Sequence, residues 1–488
     1  MKNREVLNFS ISELAPKIES REVSPVEVTQ VALEQLERVT PRTNSFITVL
    51  SDKALRQAKE AEKAIMRGDY RGPLHGIPIG IKDNLVTKGI RTTIGSKIFS
   101  DYIPGEDAFV VERVKKAGAV ILGKENLHEF AIGATSNNPH YGAVHNPWSL
   151  DLIPGGSSGG SAANVASCVT FASFGTDAGG SVRMPASLCG VVGIKPTYGR
   201  VSQRGLLSSA FVNDHIGPLT RTVRDNALML QIIAGRDPLD PTTLPVPVPD
   251  YTAKIDGGIR RLKMGIPKNY FFDLIDPEVD TAVKKAIIAL EEMGIKSKQV
   301  SLPNLEYAPA LRIISNVENL VIHEDIIRKH KRDYGEDVLF RMLPAEYATA
   351  LDLARCFRVQ RIIIDDFIKA LQEVDFIVTP TTPVPAYPID AQAITIAGVP
   401  YSIKGPGRSS SIIGRNTFIG NHIGLPAISL PCGLTEKGLP IGLQLIGRAF
   451  EEGILYKVAY HYEKVSPVKG KHPRLLAPGN STEKEHDG

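Results

Sequence analysis

The sequence has little cysteine, no long apolar run and almost no excess charge of either sign. Its 488 residues include only four cysteines, which are far apart and form no C-x-x-C pair: Cys168, Cys189, Cys356 and Cys432. This spacing excludes a disulfide framework and a zinc knuckle. No apolar run approaches the ~18 residues of a membrane-spanning helix, and the first residues lead into no apolar segment of the kind found in secretory signals. We therefore expect a cytoplasmic protein with no membrane partner.

The charge is nearly balanced, with 57 Lys and Arg against 53 Asp and Glu and a formal net charge of +4. Nucleic-acid-binding proteins usually show a much stronger and more localised positive charge. The apolar fraction of 42% and the charged fraction of 23% are close to those of globular proteins, which excludes general disorder. The composition thus predicts a globular protein that does not bind nucleic acid.

The pattern changes along the chain from helical to glycine-rich and back. Ser24-Pro25-Val26-Glu27 has the form of a capping box, and Asp52–Arg67 is a second amphipathic stretch, so both predict helices. From Gly72 to Gly217 short apolar runs alternate with Gly, Ser and Pro, which predicts a large buried sheet with helices. The charged helical pattern of Tyr307–Val374 predicts a helical cap. We expect one domain over 1–467, made of N-terminal helices (1–70), a glycine-rich core (71–235), a βαβ-like unit with the cap (236–374) and the rest of the sheet (375–467), followed by a polar tail (468–488).

The loop Pro154-Gly155-Gly156-Ser157-Ser158-Gly159-Gly160-Ser161 allows three interpretations. The first is the nucleophile elbow G-x-S-x-G, which needs a preceding strand and a late histidine base; the late histidines, His461, His472 and His486, stand in polar or terminal contexts. The second is a phosphate-binding loop, for which the G-K-[ST] and G-x-G-x-x-G patterns are missing. The third is a flexible Gly/Ser loop without a chemical role.

A second cluster, Gly175–Arg183, argues against a simple flexible loop. Consecutive backbone N–H groups at Ala178, Gly179, Gly180 and Ser181 can form a concave anion site. A serine that closes such a run has its Oγ beside the donors, as an acyl-transfer enzyme requires. We expect Asp177 and Arg183 to pair with each other and brace this loop.

Lys82 is a candidate base for such a serine. In His75-Gly76-Ile77-Pro78-Ile79-Gly80-Ile81-Lys82, alternation places the three isoleucines on one face of a strand and Gly80 and Lys82 on the other. A lysine at the end of an apolar strand is poorly placed to reach water. Burial can lower a lysine pKa by up to about 3–5 units, which makes a neutral amine available near neutral pH.

Together these segments resemble the amidase signature family. The resemblance covers most of the chain, closely through Gly76–Pro218 and more thinly through Asp375–Gly447. It rests on these ordered matches: Gly80–Asn84, Gly123–Asn126, Asn146–Trp148, Gly155–Ser161, Asp177–Thr197 and Gly424–Ala427. It implies an α/β fold with a large mixed central β-sheet flanked by helices on both faces, together with the helical cap.

The resemblance also implies roles for single residues. Ser181 matches the acyl-enzyme nucleophile, Ser157 the bridging serine that typically follows a cis peptide bond, and Lys82 the base. The oxyanion hole falls on the backbone of Ala178, Gly179, Gly180 and Ser181. Ala131 and its neighbours to Gly133, the helical cap and the loop Gly405–Ile413 are expected to line the substrate pocket. No cofactor and no metal ion are implied.

Within the family the sequence leads us to expect a stand-alone amidase that hydrolyses a small amide, anilide or carbamate and is either a monomer or a homodimer. The alternatives are the glutamine-hydrolysing A subunit of the glutamyl-tRNA(Gln) amidotransferase and a non-catalytic ligand-binding relative. That subunit tends to carry Asp where His128 stands, and Leu-Asp-Gln in place of Asn213-Asp214-His215. No Arg or Asp stands out as a partner for a substrate charge, so we expect a neutral or aromatic amide.

Overall fold

The computed structural model of the chain describes residues 3–207, 211–403, 412–473 and 475. Its strands are β1 Phe46–Val49, β2 Pro78–Lys82, β3 Val120–Glu125, β4 Asn137–Asn138, β5 Gly142–Ala143, β6 Ala172–Thr176, β7 Val192–Lys195, β8 Ile216–Thr220, β9 Lys263–Pro267, β10 Lys296–Val300, β11 Phe376–Pro380, β12 Ala393–Ile396, β13 Val399–Ser402, β14 Ala427–Leu434 and β15 Pro440–Gly447. Its α-helices are α1 Ile11–Glu19, α2 Pro25–Thr43, α3 Ser51–Met66, α4 Phe109–Lys116, α5 Gly159–Ala166, α6 Arg183–Cys189, α7 Val223–Ile233, α8 Pro277–Glu292, α9 Arg312–His330, α10 Glu336–Met342, α11 Ala350–Glu373, α12 Arg415–His422 and α13 Glu452–Val465.

Eleven strands form one mixed sheet in the order β1-β3-β2-β6-β8-β7-β14-β15-β11-β9-β10. β2 runs parallel to β3 and β6, and β9 runs parallel to β10 and β11, whereas the other neighbours are antiparallel. The central strands are buried along their whole length, as expected for a sheet covered by helices. The predicted fold class is confirmed.

The N-terminal helix α2 begins where the sequence places a cap. Ser24 Oγ accepts hydrogen bonds from the backbone N–H groups of Val26 and Glu27, with Pro25 at the first helical position. In a full capping box the side chain of Glu27 would also bond back to Ser24. Here Ser24 instead contacts Glu62 of α3. The capping serine therefore also ties the first two long helices together.

The cap over Tyr307–Val374 is helical, as predicted. It consists of the 3-10 turn Pro303–Leu311 and helices α9, α10 and α11. Apolar residues of α9 and α11, including Ile314 and Phe367, share a buried cluster with Phe418 and Ile419 of α12. This packing fixes the start of the cap against α12.

Three neighbouring parallel strands end at the same edge of the sheet. β3 ends at Glu125, β2 at Lys82 and β6 at Thr176. Because parallel strands present their carboxyl ends together, polar side chains at these positions converge, as they do at ligand sites in other α/β proteins. The candidate site is built at this edge.

Two predicted segments lie wholly or largely outside the described residues. They are the pocket loop Gly405–Ile413, of which only 412 and 413 are described, and the polar tail, of which 474 and 476–488 are not described. None of the helices within the described ranges is long and apolar enough to cross a membrane.

Candidate active site

Lys82 contacts two hydroxyl groups inside the protein. Its side chain is fully buried. Nζ lies 2.7 Å from Ser157 Oγ and 2.7 Å from Thr176 Oγ1. Asn84 Nδ2 also donates to Thr176 Oγ1, at 3.1 Å. Thr176 thus holds the amine against Ser157. The sequence did not single out this threonine, although it directly precedes Asp177.

Burial lowers the pKa of Lys82 to about 7. The carboxylates of Asp214, Asp177 and Glu125 act in the opposite direction but do not outweigh the loss of hydration. Much of the Lys82 population is therefore neutral at neutral pH. Asp83, the next residue, pairs with a different lysine, because its carboxylate lies 3.3 Å from Lys124 Nζ.

Glu125 is a buried acid that the sequence did not reveal. Its carboxylate accepts hydrogen bonds from Ser161, Ser173 and Asn164. Burial raises its pKa to about 7 although these hydrogen bonds and Lys82 favour the charged form. It lies over Gly80, where a Cβ atom would be 1.8 Å from Glu125 Oε1. The absence of a side chain at Gly80 therefore makes room for an acid within electrostatic reach of Lys82.

The Ser157 loop and the Ser181 loop are joined by a backbone hydrogen bond. The peptide bond between Gly156 and Ser157 is cis. The next residue, Ser158, donates its N–H to the carbonyl of Ser181 at 3.2 Å. The carbonyl of Ser157 accepts from the backbone N–H of His128 and from Ser136 Oγ, both at 3.2 Å. The hydrogen bond between Ser158 and Ser181 places the backbones of the two serine loops side by side.

The predicted ion pair between Asp177 and Arg183 is present and fully buried. Arg183 Nη2 lies 2.9 Å from Asp177 Oδ1. Although burial alone would raise the pKa of Asp177, the guanidinium of Arg183 holds it far below its usual range. Asn421 and Gln444 accept the remaining Arg183 hydrogen bonds at 2.7 and 2.9 Å. The pair braces the loop that carries Ser181.

The four predicted oxyanion donors are not equivalent. The N–H of Gly180 already donates to Asp177 Oδ1 at 2.7 Å. Those of Ala178, Gly179 and Ser181 have no hydrogen-bond partner among the described residues. Within the described part of the chain, three of the four amides thus remain available for an anion.

Of the three predicted side chains, only Ser181 retains measurable solvent exposure. It is 7% exposed, whereas Lys82 and Ser157 are 0% exposed. Of the late histidines that the nucleophile-elbow interpretation could use, His461 contacts the carbonyls of Asp256 and Gly257, and His486 lies outside the described residues. The described residues contain no group of three His, Cys, Asp or Glu side chains that could hold a metal ion.

Gly180 must be a glycine for two separate reasons. Its φ is +121°, and a Cβ would lie 2.0 Å from Thr417 Oγ1. We expect Gly180→Ala to destabilise the protein by about 1–3 kcal/mol and to lower kcat, because the loop must move. Gly179→Ala is the matched control for stability, since its Cβ would meet only Phe418 at 3.6 Å. Equal melting temperatures for the two variants would contradict this account.

The segment after β3 connects the site to the cap. His128 Nε2 lies 2.8 Å from Asp337 Oδ2, and Glu129 Oε2 accepts the backbone N–H of Gly335 at 2.7 Å. Phe130 stacks on Tyr334. The predicted pocket residue Ala131 follows with a φ of +60°. Ala131 is therefore placed where the segment after β3 meets the cap.

Comparison with known proteins identifies the family. The family model described as Amidase matches residues 27–455. The glutamyl-tRNA(Gln) amidotransferase A chain of Carboxydothermus hydrogenoformans is 40% identical over 496 residues, covering 96% of this chain and 100% of that protein. The solved structure of the corresponding protein from Thermotoga maritima is 35% identical and covers 98% of both chains with a TM-score of 0.78. A bacterial aryl acylamidase of the amidase signature family is 25% identical, with a TM-score of 0.88, and covers 96% of this chain and 99% of its own.

These relatives correct two predictions. The expectation of a stand-alone amidase was wrong, because curated relatives that are 39–41% identical over nearly the whole chain are amidotransferase A subunits. The expectation of only a small-molecule partner or a second copy, with no nucleic acid, was wrong for the same reason, since the name of those relatives denotes one subunit of an enzyme that acts on a tRNA. The chain belongs to the amidase signature family and is an enzyme that acts on the carbon–nitrogen bonds of amides.

Proposed function

We propose that this protein is the glutamine-hydrolysing A subunit of a tRNA-dependent amidotransferase in the cytoplasm. In this role it releases ammonia from the side-chain amide of glutamine, and partner subunits use the ammonia. Support for the subunit role comes from the 40% identity to such A subunits over 96% of the chain. Support for amide hydrolysis comes from the site itself.

The observation that carries the chemistry is the 2.7 Å contact between Lys82 Nζ and Ser157 Oγ. A buried amine with a pKa of about 7 can accept a proton at neutral pH. Ser181 Oγ then passes its proton to Ser157 while Ser157 passes its own to Lys82, and Ser181 attacks the amide carbon. The carbonyl oxygen, now negative, is held by the backbone amides of Ala178, Gly179 and Ser181.

The relay then runs in reverse. The proton on Lys82 returns through Ser157 to the departing nitrogen, so ammonia leaves and an ester forms on Ser181. Water attacks the ester with the same relay as base, which releases glutamate and regenerates the serine. The proton that Ser181 loses therefore leaves on ammonia, and the attacking water supplies the proton that restores Ser181.

The test is ammonia release from glutamine by the full chain, alone and with the proteins that co-purify with it from its own cells. We expect hydrolysis of glutamine to exceed that of simple neutral amides, and the ammonia to be transferred to glutamyl-tRNA(Gln) when partners are present. Ser181→Ala provides the background rate. Hydrolysis of simple amides together with no release from glutamine under either condition would contradict the proposal.

A further inference from the structure

Glu125 places a carboxylate beside Lys82 that the hydrolytic relay does not use. The two residues are direct partners in the pairing of β3 with β2. The carboxylate lies back over Gly80, whose Cβ would point to the same face of the strand as the Lys82 side chain. Glu125 is fully buried, and in the described part of the chain it forms no ion pair. A buried acid in such a position is costly unless its charge has a partner.

The same carboxylate fixes the helix that follows Ser157. Glu125 Oε2 accepts a hydrogen bond from Ser161 Oγ at 2.6 Å, and Oε1 accepts one from Asn164 Nδ2 at 3.0 Å. Both donors belong to α5 and are three positions apart, so they lie on one face of the helix. Because α5 begins two residues after Ser157, the carboxylate ties the helix next to the relay serine to the strand next to the base.

Few other charges act on Lys82. Burial lowers its pKa, and three carboxylates act in the opposite direction: those of Asp214, Asp177 and Glu125. Asp177 is already paired with Arg183. The strand β6 and the helix α5, which flank this side of β2, carry no charged side chain. Glu125 is therefore a negative charge near Lys82 that no ion pair within the described residues neutralises.

The hydrogen bonds of Glu125 favour its ionised form. Burial raises its pKa, whereas its three hydrogen-bond donors and the charge of Lys82 lower it. The third donor is Ser173 of β6, whose Oγ lies 2.6 Å from Oε1. The preceding residue on β3, Lys124, pairs with Asp83 instead. Among the described residues, Lys82 is thus the cation that faces this acid.

We propose that Glu125 is a positioning residue of the proton relay, which holds α5 in place and supplies the counter-charge when Lys82 takes up a proton. The amine is neutral before the reaction and charged during it, in a place from which water is excluded. A nearby carboxylate stabilises the charged form and makes the amine a stronger base. This inference rests on the relay in the proposed function, but not on glutamine as the substrate.

The test is the pH dependence of Ser181 labelling by a serine-directed phosphonate, which reports on the relay without requiring a particular amide. Glu125→Gln keeps the shape of the side chain and removes its charge. Without the counter-charge Lys82 binds its proton less tightly, so the rise of the labelling rate should move to lower pH by about 0.5–1 pH unit. The rate on the plateau should fall by about 3–30-fold, because the base is weaker.

Two further variants separate charge from packing. Ser173→Ala keeps the carboxylate but removes one of its donors, so it should give a smaller shift in the same direction. The matched control is Glu452→Gln. Glu452 is also a fully buried acid that accepts a hydroxyl hydrogen bond, from Thr197 at 2.6 Å, but it is not among the charges that act on Lys82. This variant should lower the melting temperature and leave the pH midpoint at the wild-type value.

An unchanged or higher midpoint in folded Glu125→Gln would overturn the inference. If that variant does not fold, Ser173→Ala decides, since a shift to lower pH supports the role of Glu125 and any other result contradicts it. Ammonia release from glutamine is measured in parallel. If glutamine is not hydrolysed while the labelling midpoint moves as expected, the proposed function fails and the role of Glu125 stands. If glutamine is hydrolysed and the midpoint stays fixed, the role of Glu125 fails and the function stands.

Discussion

Lys82→Arg is expected to lower kcat/KM by about 10³-fold or more, because proton transfer by a positioned base contributes about 10²–10⁴-fold. Arginine keeps a positive charge and a comparable length, but it does not lose a proton below about pH 12. It can therefore replace Lys82 as a charge and not as a base. The measurement is steady-state ammonia release by the folded variant.

The pH profile of the wild type tests the same assignment. The neutral amine is the active form, so kcat/KM should rise as the pH increases through about 7 and stay level above it.

The matched control for Lys82→Arg is Lys124→Arg. Lys124 is a buried lysine on the neighbouring strand, and it contacts Leu85 O and Thr92 rather than a serine. It should lower the melting temperature but leave the folded fraction active. Retention of most activity by Lys82→Arg would mean that Lys82 acts as a charge only.

Ser181→Ala is expected to lower kcat by about 10⁴-fold or more and to abolish the acyl-enzyme, because no other group can form the ester. A serine-directed phosphonate should label Ser181 in the wild type, as located by peptide mass spectrometry. Ser181 is also the only one of the three side chains with measurable exposure, which agrees with attack on a substrate from outside.

The Ser157→Ala variant distinguishes the role of Ser157 from that of Ser181. It should still accept the phosphonate at Ser181, but slowly, because the proton path to Lys82 is broken. Combining it with Lys82→Ala should add little further loss, since both variants interrupt one relay. Labelling of Ser157 in the wild type would instead favour the nucleophile-elbow interpretation.

Features that depend on residues close together in the sequence could be predicted. Alternation along Ile77–Lys82 places the lysine on the buried face opposite the isoleucines, and the strand is found over Pro78–Lys82. Ser24 marks the start of α2 because capping depends on residues within one turn. The pairing of Asp177 with Arg183 is likewise a contact between near neighbours, six positions apart.

The parts that sequence reasoning missed depend on long-range packing. Glu125 lies beside Lys82 because β3 pairs with β2, and nothing in its own sequence neighbourhood marks it as a buried acid next to the proposed base. Ser315 of α9 lies in a charged helical segment whose pattern is typical of a solvated surface. Its side chain nevertheless contacts Asn213 and His422, which are 102 and 107 positions away.

The choice between a stand-alone enzyme and one component of a complex could not be made from the motifs either. The motifs around Ser181 are expected for amide hydrolysis both in a stand-alone amidase and in an amidotransferase subunit. The difference noted at His128 concerns a contact with Asp337 of the cap, which carries no information about partner subunits. Identity over the full length of the chain was needed to correct that prediction.

The brace of the Ser181 loop has a consequence for synthesis of the protein. The hydrogen bonds of the Arg183 guanidinium are completed by Asn421 and Gln444, which follow Arg183 in the sequence by 238 and 261 positions. At about 5–20 residues per second, a ribosome needs roughly 10–50 s to add this stretch. During that interval the nascent chain already contains Lys82, Ser157 and Ser181 but lacks two acceptors for the buried guanidinium. We therefore expect the Ser181 loop to gain its full brace only after Gln444 has been added, so a chain that ends before Gln444 should lack the brace.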